Sequence, residues 1–282
     1  MDLEKILPKD GPPIDEVSKY IEKYKNDLIV IKYGGNVFID RKIFDNFITD
    51  INILNKLGIS FAVVHGGGPR IKRELDKSNI QSKFIRGLRV TDEKIINIVE
   101  SVLIDFNDDI VESLKKCGTD AVSIHTKKNN IIKVNPEAEE LGFVGIPNKV
   151  DNNLIEEILN KKQVPIISPL GLGSDNHPYN INGDTAAGAI AKSLKSRRLL
   201  LMTNVEGVLD KNKKLIDEIS SAEILKMIED NTITEGMIPK INTCLDAVNN
   251  GVTAVGIIDG RKRHSILFEI FSDKGSGTLI RK

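Results

Sequence analysis

The sequence predicts an α/β protein built on a mostly parallel sheet that is buried on both faces. Three observations lead there. Short, almost wholly apolar runs such as "LIVIKY" and "SFAVVH" lack the polar alternation of a half-exposed strand. Between them lie segments whose apolar residues fall at helical spacing. Two successive runs close on glycine, at Gly34-Gly35 and Gly66-Gly67-Gly68. With 282 residues, 40% of them hydrophobic, the chain can fill one large α/β domain or two lobes that share a sheet.

The elements follow in order. Residues 1–13 read as a loose lead-in, and Gly11-Pro12-Pro13 marks a helix start. "IDEVSKYIEKYK" then places Ile14, Val17, Tyr20, Ile21 and Tyr24 on one helical stripe, with Asp15 and Glu16 in the first turn, where the helix dipole favours acids. Two readings stay open for this helix. It packs on its own domain, or it protrudes and lays its stripe on a second subunit.

"LIVIKY" is a strand, 41–57 a helix ended by Gly58, "SFAVVH" a strand and 69–80 a helix. A long helix starts at Thr91 or Asp92 and ends at Gly118. "DAVSIH" is a strand, and 129–150 is turn-rich with short hairpins. "NLIEEILNKKQ" is a helix and "VPIISPLG" one strand. The second half repeats the rhythm. "DTAAGAIAKSLKS" is a helix, "RLLLMTNVEGVLD" a strand and loop, and "SAEILKMIED" and "GMIPKINTCLDAVNNG" are helices. "VTAVGIID" is a strand, "RHSILFEIFS" a helix and "GTLI" a last short strand, with a lobe boundary near 170–185.

Composition narrows the function classes. Lys+Arg and Asp+Glu are both 40, so no global field draws in a polyanion. Tryptophan is absent and aromatic residues make up 5%, which leaves few platforms for stacking bases. Cys117 and Cys244 fit no metal or redox spacing and read as small reduced hydrophobes. No run has the apolar length of a membrane span, and the opening "MDLEKILPKDGPP" is unlike a targeting peptide. The expectation is a cytoplasmic protein without nucleic-acid or membrane partners.

The glycines at the strand ends let the backbone turn sharply and expose N–H groups to an anion, at the sheet edge where open α/β proteins bind ligands. No P-loop occurs, and "GGGPRI" has Ile71 where a dinucleotide fingerprint needs its third glycine. Lys32 ends an apolar strand with a charge. Arg89, just before a helix start, can grip a carboxylate as a fork. "YNINGDTAAG" gathers Asn180, Asn182 and Asp184 at another helix start, where Asp184 could simply be the cap. Lys240 stands near the start of its helix against the dipole, which makes sense if a phosphate lies between them. His65, His125, His177 and His264 are scattered, and His65 reads as structural rather than as a base. Two lysines, one acid, bare amides and an arginine suit phosphoryl transfer, where positioning and charge neutralisation supply most of the catalysis.

In order, "KYGG", "HGGGP", "GLRVTD", "LGFVG", "YNINGDTAA", "EGMIPK" and "GSGT" resemble the N-acetyl-L-glutamate kinase branch of the amino acid kinase family, over about Val17 to Ile280. The resemblance implies an αβα sandwich around a central, mostly parallel eight-stranded sheet. It implies an oligomerisation helix over 1–26, an amino-acid-binding lobe over 27–178 and an ATP-binding lobe over 179–282. The implied reaction phosphorylates the γ-carboxylate of N-acetyl-L-glutamate with ATP, in arginine biosynthesis. Mg²⁺ would ride on the nucleotide phosphates, without a dedicated protein metal site.

Carried over, Lys32 and Lys240 would neutralise the transferring group from the acceptor and ATP sides, and Asp184 would hold both ammonium groups. Backbone N–H groups of Gly34, Gly35, Gly67 and Gly68 would touch the phosphates and the γ-carboxylate, and Arg89 with Asn180 would bind the α-carboxylate. Asn204 and Gly207 would join Lys32, Gly34 and Lys240 on the nucleotide side. The N-terminal helix resembles that of arginine-inhibited members, which interlace dimers into a ring-shaped homohexamer, a trimer of dimers. Tyr20, His264, Glu269 and Gly275 are then candidates for inhibitor contacts or their frame, although Glu269 could equally be a helix-surface acid. A PII signalling protein stays open as a partner.

Three positions depart from the pattern. Asn204 replaces aspartate, Gly183 replaces alanine, and Arg86 replaces asparagine and would add a cation near the acceptor. The competing readings are a sibling kinase for another carboxylate, such as a carrier-bound α-aminoadipate, and an arginine-binding regulator without catalysis.

Overall fold

The computed structural model describes residues 2–34, 40–233 and 236–282. The lead-in carries a short helix α1 (Leu3–Ile6), and the stripe helix is α2 (Ile14–Tyr24). There follow β1 (Leu28–Tyr33), α3 (Arg41–Lys56), β2 (Ser60–His65), α4 (Gly68–Lys77), the two-residue strands β3 (Phe84–Ile85) and β4 (Leu88–Arg89), and α5 (Glu93–Lys116). The middle of the chain holds β5 (Ala121–Ile124), β6 (Ile132–Pro136), β7 (Gly145–Val150), α6 (Asn152–Asn160), β8 (Val164–Ile167), β9 (Leu170–Leu172) and β10 (Pro178–Asn180). The remainder is α7 (Gly183–Ser193), β11 (Arg198–Thr203), β12 (Glu218–Ser220), α8 (Ser221–Glu229), α9 (Ile238–Asn249), β13 (Ala254–Asp259), α10 (Ser265–Phe271) and β14 (Gly277–Arg281).

Eight strands form the central sheet in the order β12-β14-β13-β11-β1-β2-β8-β5. From β13 to β5 all neighbours are parallel; β14 runs antiparallel to β13 and pairs in parallel with β12. The six parallel strands therefore end at one edge, which carries Gly34, the triple glycine, Ser168, Asn204 and Gly260.

Alternation along β1 sorts its side chains between two cores. Ile29, Ile31 and Tyr33 pack with Tyr24 of α2, Phe47 and Leu54 of α3, Phe106 and Ile110 of α5 and Phe271 of α10. Val30 points the other way, into a core with Ile155 of α6, Ala187 and Ile190 of α7, Ile224 of α8 and Ile241 and Cys244 of α9. Helices thus cover both faces, and the αβα sandwich expected for the sequence is the observed architecture. Lys32 follows Val30 onto the α7 side.

Several expectations change. "VPIISPLG" is two strands, because Pro169 has no N–H to continue the ladder. β8 stays in the main sheet, and β9 joins a four-stranded sheet of order β10-β9-β6-β7. Arg89 lies in a β-hairpin, and the helix after it is capped by Asp92, whose side chain accepts from the Ile95 N–H at 2.8 Å. Of the two cysteines, Cys244 is a buried hydrophobe as expected, whereas Cys117 is exposed. Part of the α2 stripe is covered by its own chain, with Val17 and Tyr24 fully buried, whereas Ile14 stays exposed. Among the described residues no helix is long and apolar enough to cross a membrane.

Candidate phosphoryl-transfer site

Three side chains from three elements meet at the carboxyl edge. Lys32 comes from the end of β1, Asp184 from the first turn of α7 and Lys240 from the first turn of α9. Lys32 Nζ lies 2.9 Å from Asp184 Oδ1, and Lys240 Nζ lies 2.5 Å from Oδ2. Lys240 makes a directed hydrogen bond, whereas the Lys32 contact is charge pairing without such geometry. Burial alone would push the Asp184 carboxyl up. The two ammonium groups override it and hold the acid well below its ordinary range. Burial, helped by the Lys240 charge, pulls Lys32 below the ordinary lysine range against the attraction of Asp184.

The local sequence explains why Asp184 is available. Asn182 caps α7, its side-chain oxygen accepting from the N–H groups of Asp184 at 2.9 Å and Thr185 at 3.2 Å. The bland expectation that Asp184 is the cap is therefore corrected. Alanines on α7 let it press on β1, and a Cβ at Gly188 would come within 3.0 Å of Thr243 on α9.

The glycines divide by cause. A Cβ on Gly34 would fall 1.9 Å from Lys32 Nζ, so the lysine cannot fold back over the strand end unless residue 34 is bare. A Cβ on Gly67 would strike Leu103 at 2.4 Å, whereas one on Gly68 would meet nothing within 4 Å. Gly68 faces open space at the N-terminus of α4, where unpaired N–H groups favour an anion. Gly35 lies outside the described residues.

A cavity of about 220 Å³ opens here, lined by Lys32, the triple glycine, Arg89, Asn180, Asn182 and Asp184 among others. Arg89 is buried, with its guanidinium over the Phe84 ring at 4.8 Å. It donates to the Ser82 hydroxyl and, at 3.4 Å, to the Gly68 carbonyl, and among the described residues it forms no ion pair with an acid. Asn180 turns its amide toward the Thr91 hydroxyl at 3.5 Å.

A match to the model of the amino acid kinase family covers residues 27–259. The chain belongs to the amino acid kinase family. It is 55% identical over 281 residues to the acetylglutamate kinase of Pelagibacter ubique (strain HTCC1062), covering 100% of this chain and 98% of that one. Among solved structures, the N-acetylglutamate synthase of Neisseria gonorrhoeae in complex with coenzyme A and N-acetyl-glutamate aligns with a TM-score of 0.86. It is 22% identical, over 95% of this chain and 62% of that one. The carbamate kinase of Giardia lamblia bound to AMP-PNP aligns with a TM-score of 0.67 at 16% identity, over 91% of this chain and 98% of that one. These two likenesses show a shared fold.

The departures from the amino acid kinase pattern now have structural readings. Arg86 does not line the cavity of Lys32 and Arg89. It adopts a left-handed backbone, φ 51°, and pairs with Glu140 at 2.6 Å. It lines the adjoining cavity with Asp184 and Lys240, while its exposed guanidinium pairs with Glu140. At Gly183 a Cβ would come 3.2 Å from Lys32 Cε, so glycine gives that lysine room. Asn204 is exposed just past the end of β11. Gly207, at φ 151°, is required by packing, because a Cβ would reach within 2.4 Å of Thr278 Oγ1.

The four residues matched to an inhibitor site fall in two places. The Tyr20 hydroxyl donates to Asp273 at 2.8 Å, which ties α2 to the loop holding Gly275. Glu269 lies beneath that loop and accepts from the Ser276 N–H at 2.9 Å; it is buried, so the helix-surface alternative is set aside. His264 is also buried, with Nδ1 2.6 Å from Asp50 of α3. Arg198, which the sequence reading passed over, donates to the Tyr24 hydroxyl at 3.1 Å in this region.

Asp184 fixes a pH dependence of stability. Its folded pKa is depressed, so its contribution is present above the ordinary value of 3.8 and is lost as pH falls through the folded value. Asp184→Asn leaves two ammonium groups without their counter-charge and should cost about 3 kcal/mol at pH 7. In denaturant titrations the gap to the native protein should hold from about pH 5 upward and narrow below it. A gap that is absent, or constant with pH, contradicts this reading.

Proposed function

We propose that the chain transfers the γ-phosphoryl group of ATP to the side-chain carboxylate of N-acetyl-L-glutamate. The observation that carries the proposal is the pair of lysines sharing one carboxylate, with Lys32 and Asp184 on the wall of a cavity that also holds a buried arginine without an acidic partner among the described residues. Two ammonium groups against one acid leave an excess positive charge, which fits a phosphoryl group in transfer. Arg89 supplies what an α-carboxylate needs, a desolvated fork with free donors. The 55% identity to an acetylglutamate kinase over the full chain supports this acceptor above a carrier-bound aminoadipate. The complete lysine–aspartate set supports an active enzyme above an inert regulator.

In the proposed reaction a γ-carboxylate oxygen forms a bond to the γ-phosphorus. The bond from that phosphorus to the bridging oxygen breaks, and its electron pair leaves on ADP. The carboxylate is ionised at neutral pH, so no general base is required. Lys32 faces the developing charge from the acceptor side, in the lobe over 27–178, and Lys240 from the ATP side, in the lobe over 179–282. Asp184 keeps both ammonium groups in place, and N–H groups of Gly34, Gly67 and Gly68 receive oxygens. Mg²⁺ bound to the nucleotide would neutralise phosphate charge, held mainly by the phosphates.

We further infer that L-arginine inhibits the enzyme. Support comes from the loop 272–276, which joins α2 through Tyr20 and Lys19 and covers the buried acid Glu269. A carboxylate suits a guanidinium.

A hydroxamate assay should show ATP-dependent product with N-acetyl-L-glutamate and little with glutamate or α-aminoadipate derivatives. Arg89→Ala should raise the acceptor KM roughly 10- to 100-fold, the loss of one charged hydrogen-bonded pair, with a smaller change in kcat. An unaltered acceptor KM contradicts the carboxylate grip, and a better aminoadipate substrate overturns the acceptor. Titrating L-arginine into the same assay should suppress the rate; a flat response removes the inhibitor proposal.

A further inference from the structure

Beneath the triple glycine lies a buried polar group that the proposed chemistry does not use. His65, the last residue of β2, is fully buried. Its Nδ1 is 3.0 Å from the carbonyl oxygen of Gly66, and its Nε2 is 3.2 Å from Asn107 Nδ2 on α5. The amide orientation of Asn107 is fixed by its other partners. Its nitrogen faces two carbonyl oxygens, of Ile166 at 2.9 Å and Ile124 at 3.4 Å, which only a donor can face. A carbonyl can only accept and an amide nitrogen can only donate. Nδ1 must therefore carry the proton and Nε2 must offer its lone pair. A second proton on the ring would point at the amide hydrogens of Asn107.

We propose that His65, held in its Nδ1–H tautomer by Asn107, is a positioning residue that aims the Gly67 N–H into the phosphoryl-transfer cavity. This rests on the kinase reading above. The link is the peptide between Gly66 and Gly67. In a trans peptide the C=O and the following N–H point in opposite directions, and no peptide bond in the described chain is cis. Drawing the Gly66 oxygen inward onto His65 turns the Gly67 N–H outward, and Gly67 lines the cavity. The other side of Gly66 is also held, because its own N–H donates to the Tyr33 carbonyl at 2.7 Å. The loop is thus clamped between β1 and His65. The imidazole makes edge contact with Phe106, ring centroids 5.0 Å apart. Burial lowers its pKa to about 4, so the neutral ring persists throughout the working pH range. An ionisable ring adjacent to the site would otherwise change charge near pH 6.5.

The test has two arms. Nitrogen-15 NMR of the wild-type protein labelled at histidine should show His65 protonated at Nδ1 and bare at Nε2, unchanged from pH 6 to 8. Steady-state kinetics should show His65→Phe, which keeps a ring and loses both hydrogen bonds, lowering kcat roughly 10- to 100-fold while KM for ATP changes less. His65→Asn, which keeps a donor near the Nδ1 position, should recover part of the loss. Asn107→Leu, which removes only the Nε2 partner while the Gly66 carbonyl still holds the proton on Nδ1, should lower kcat by less than His65→Phe does. A wild-type Nε2–H tautomer overturns the proposal, as does His65→Phe with the wild-type kcat. A wild-type enzyme that phosphorylates no carboxylate instead overturns the kinase reading, and the positioning role falls with it.

Discussion

One carboxylate shared by two ammonium groups sets the terms for the rest of this fold. Asp184 can hold Lys32 and Lys240 only if β1, α7 and α9 deliver their ends to one point. A parallel strand at the centre of the sheet does this for Lys32. Because β1 lies between β11 and β2, its last residues emerge in the middle of the carboxyl edge. The surrounding small residues follow from that constraint. Gly34 clears the path of the lysine, Gly183 leaves room beside its stem, and Gly188 lets α9 approach α7. Asn182 takes over the capping duty that would otherwise occupy Asp184.

The electrostatics of the site are uneven by construction. Lys32, drawn from water, resists its charge, and one acid is shared between two ammonium groups. Arg89 adds a third cation, itself buried, which stacks on Phe84 and has no acidic partner among the described residues. Such a surplus is costly in an empty site and favourable once anions enter. On the proposed reading, the acceptor carboxylates and the nucleotide phosphates complete it. His65 contributes by staying neutral, since a further charge under the glycine loop would upset the same balance.

Much of this was legible in the sequence, and the residues show why. An apolar strand running into Lys32 and two glycines states a local physical problem, and the period-two alternation of β1 already says which face the lysine takes. Helix and strand identities followed from apolar spacing, and the ordered motifs gave the eight-stranded sandwich. What escaped was whatever depends on partners distant in the chain. Arg86 and Glu140 are 54 positions apart, and nothing in the local sequence marks their ion pair. The burial of Glu269 beneath the 275–277 turn leaves no trace in helical periodicity. The hairpin of β3 and β4 has two residues per strand, too few for any period. His65 and Asn107 are likewise separated by 42 positions, and neither residue alone marks the other.

The central claim is that the Lys32 ammonium acts on the group being transferred rather than merely filling the site. Steady-state kinetics of Lys32→Ala with ATP and N-acetyl-L-glutamate test it most directly. The account predicts that kcat falls by about 100-fold or more while KM for ATP changes far less, because the contact strengthens in the transition state. A folded Lys32→Ala enzyme with the wild-type kcat would contradict it.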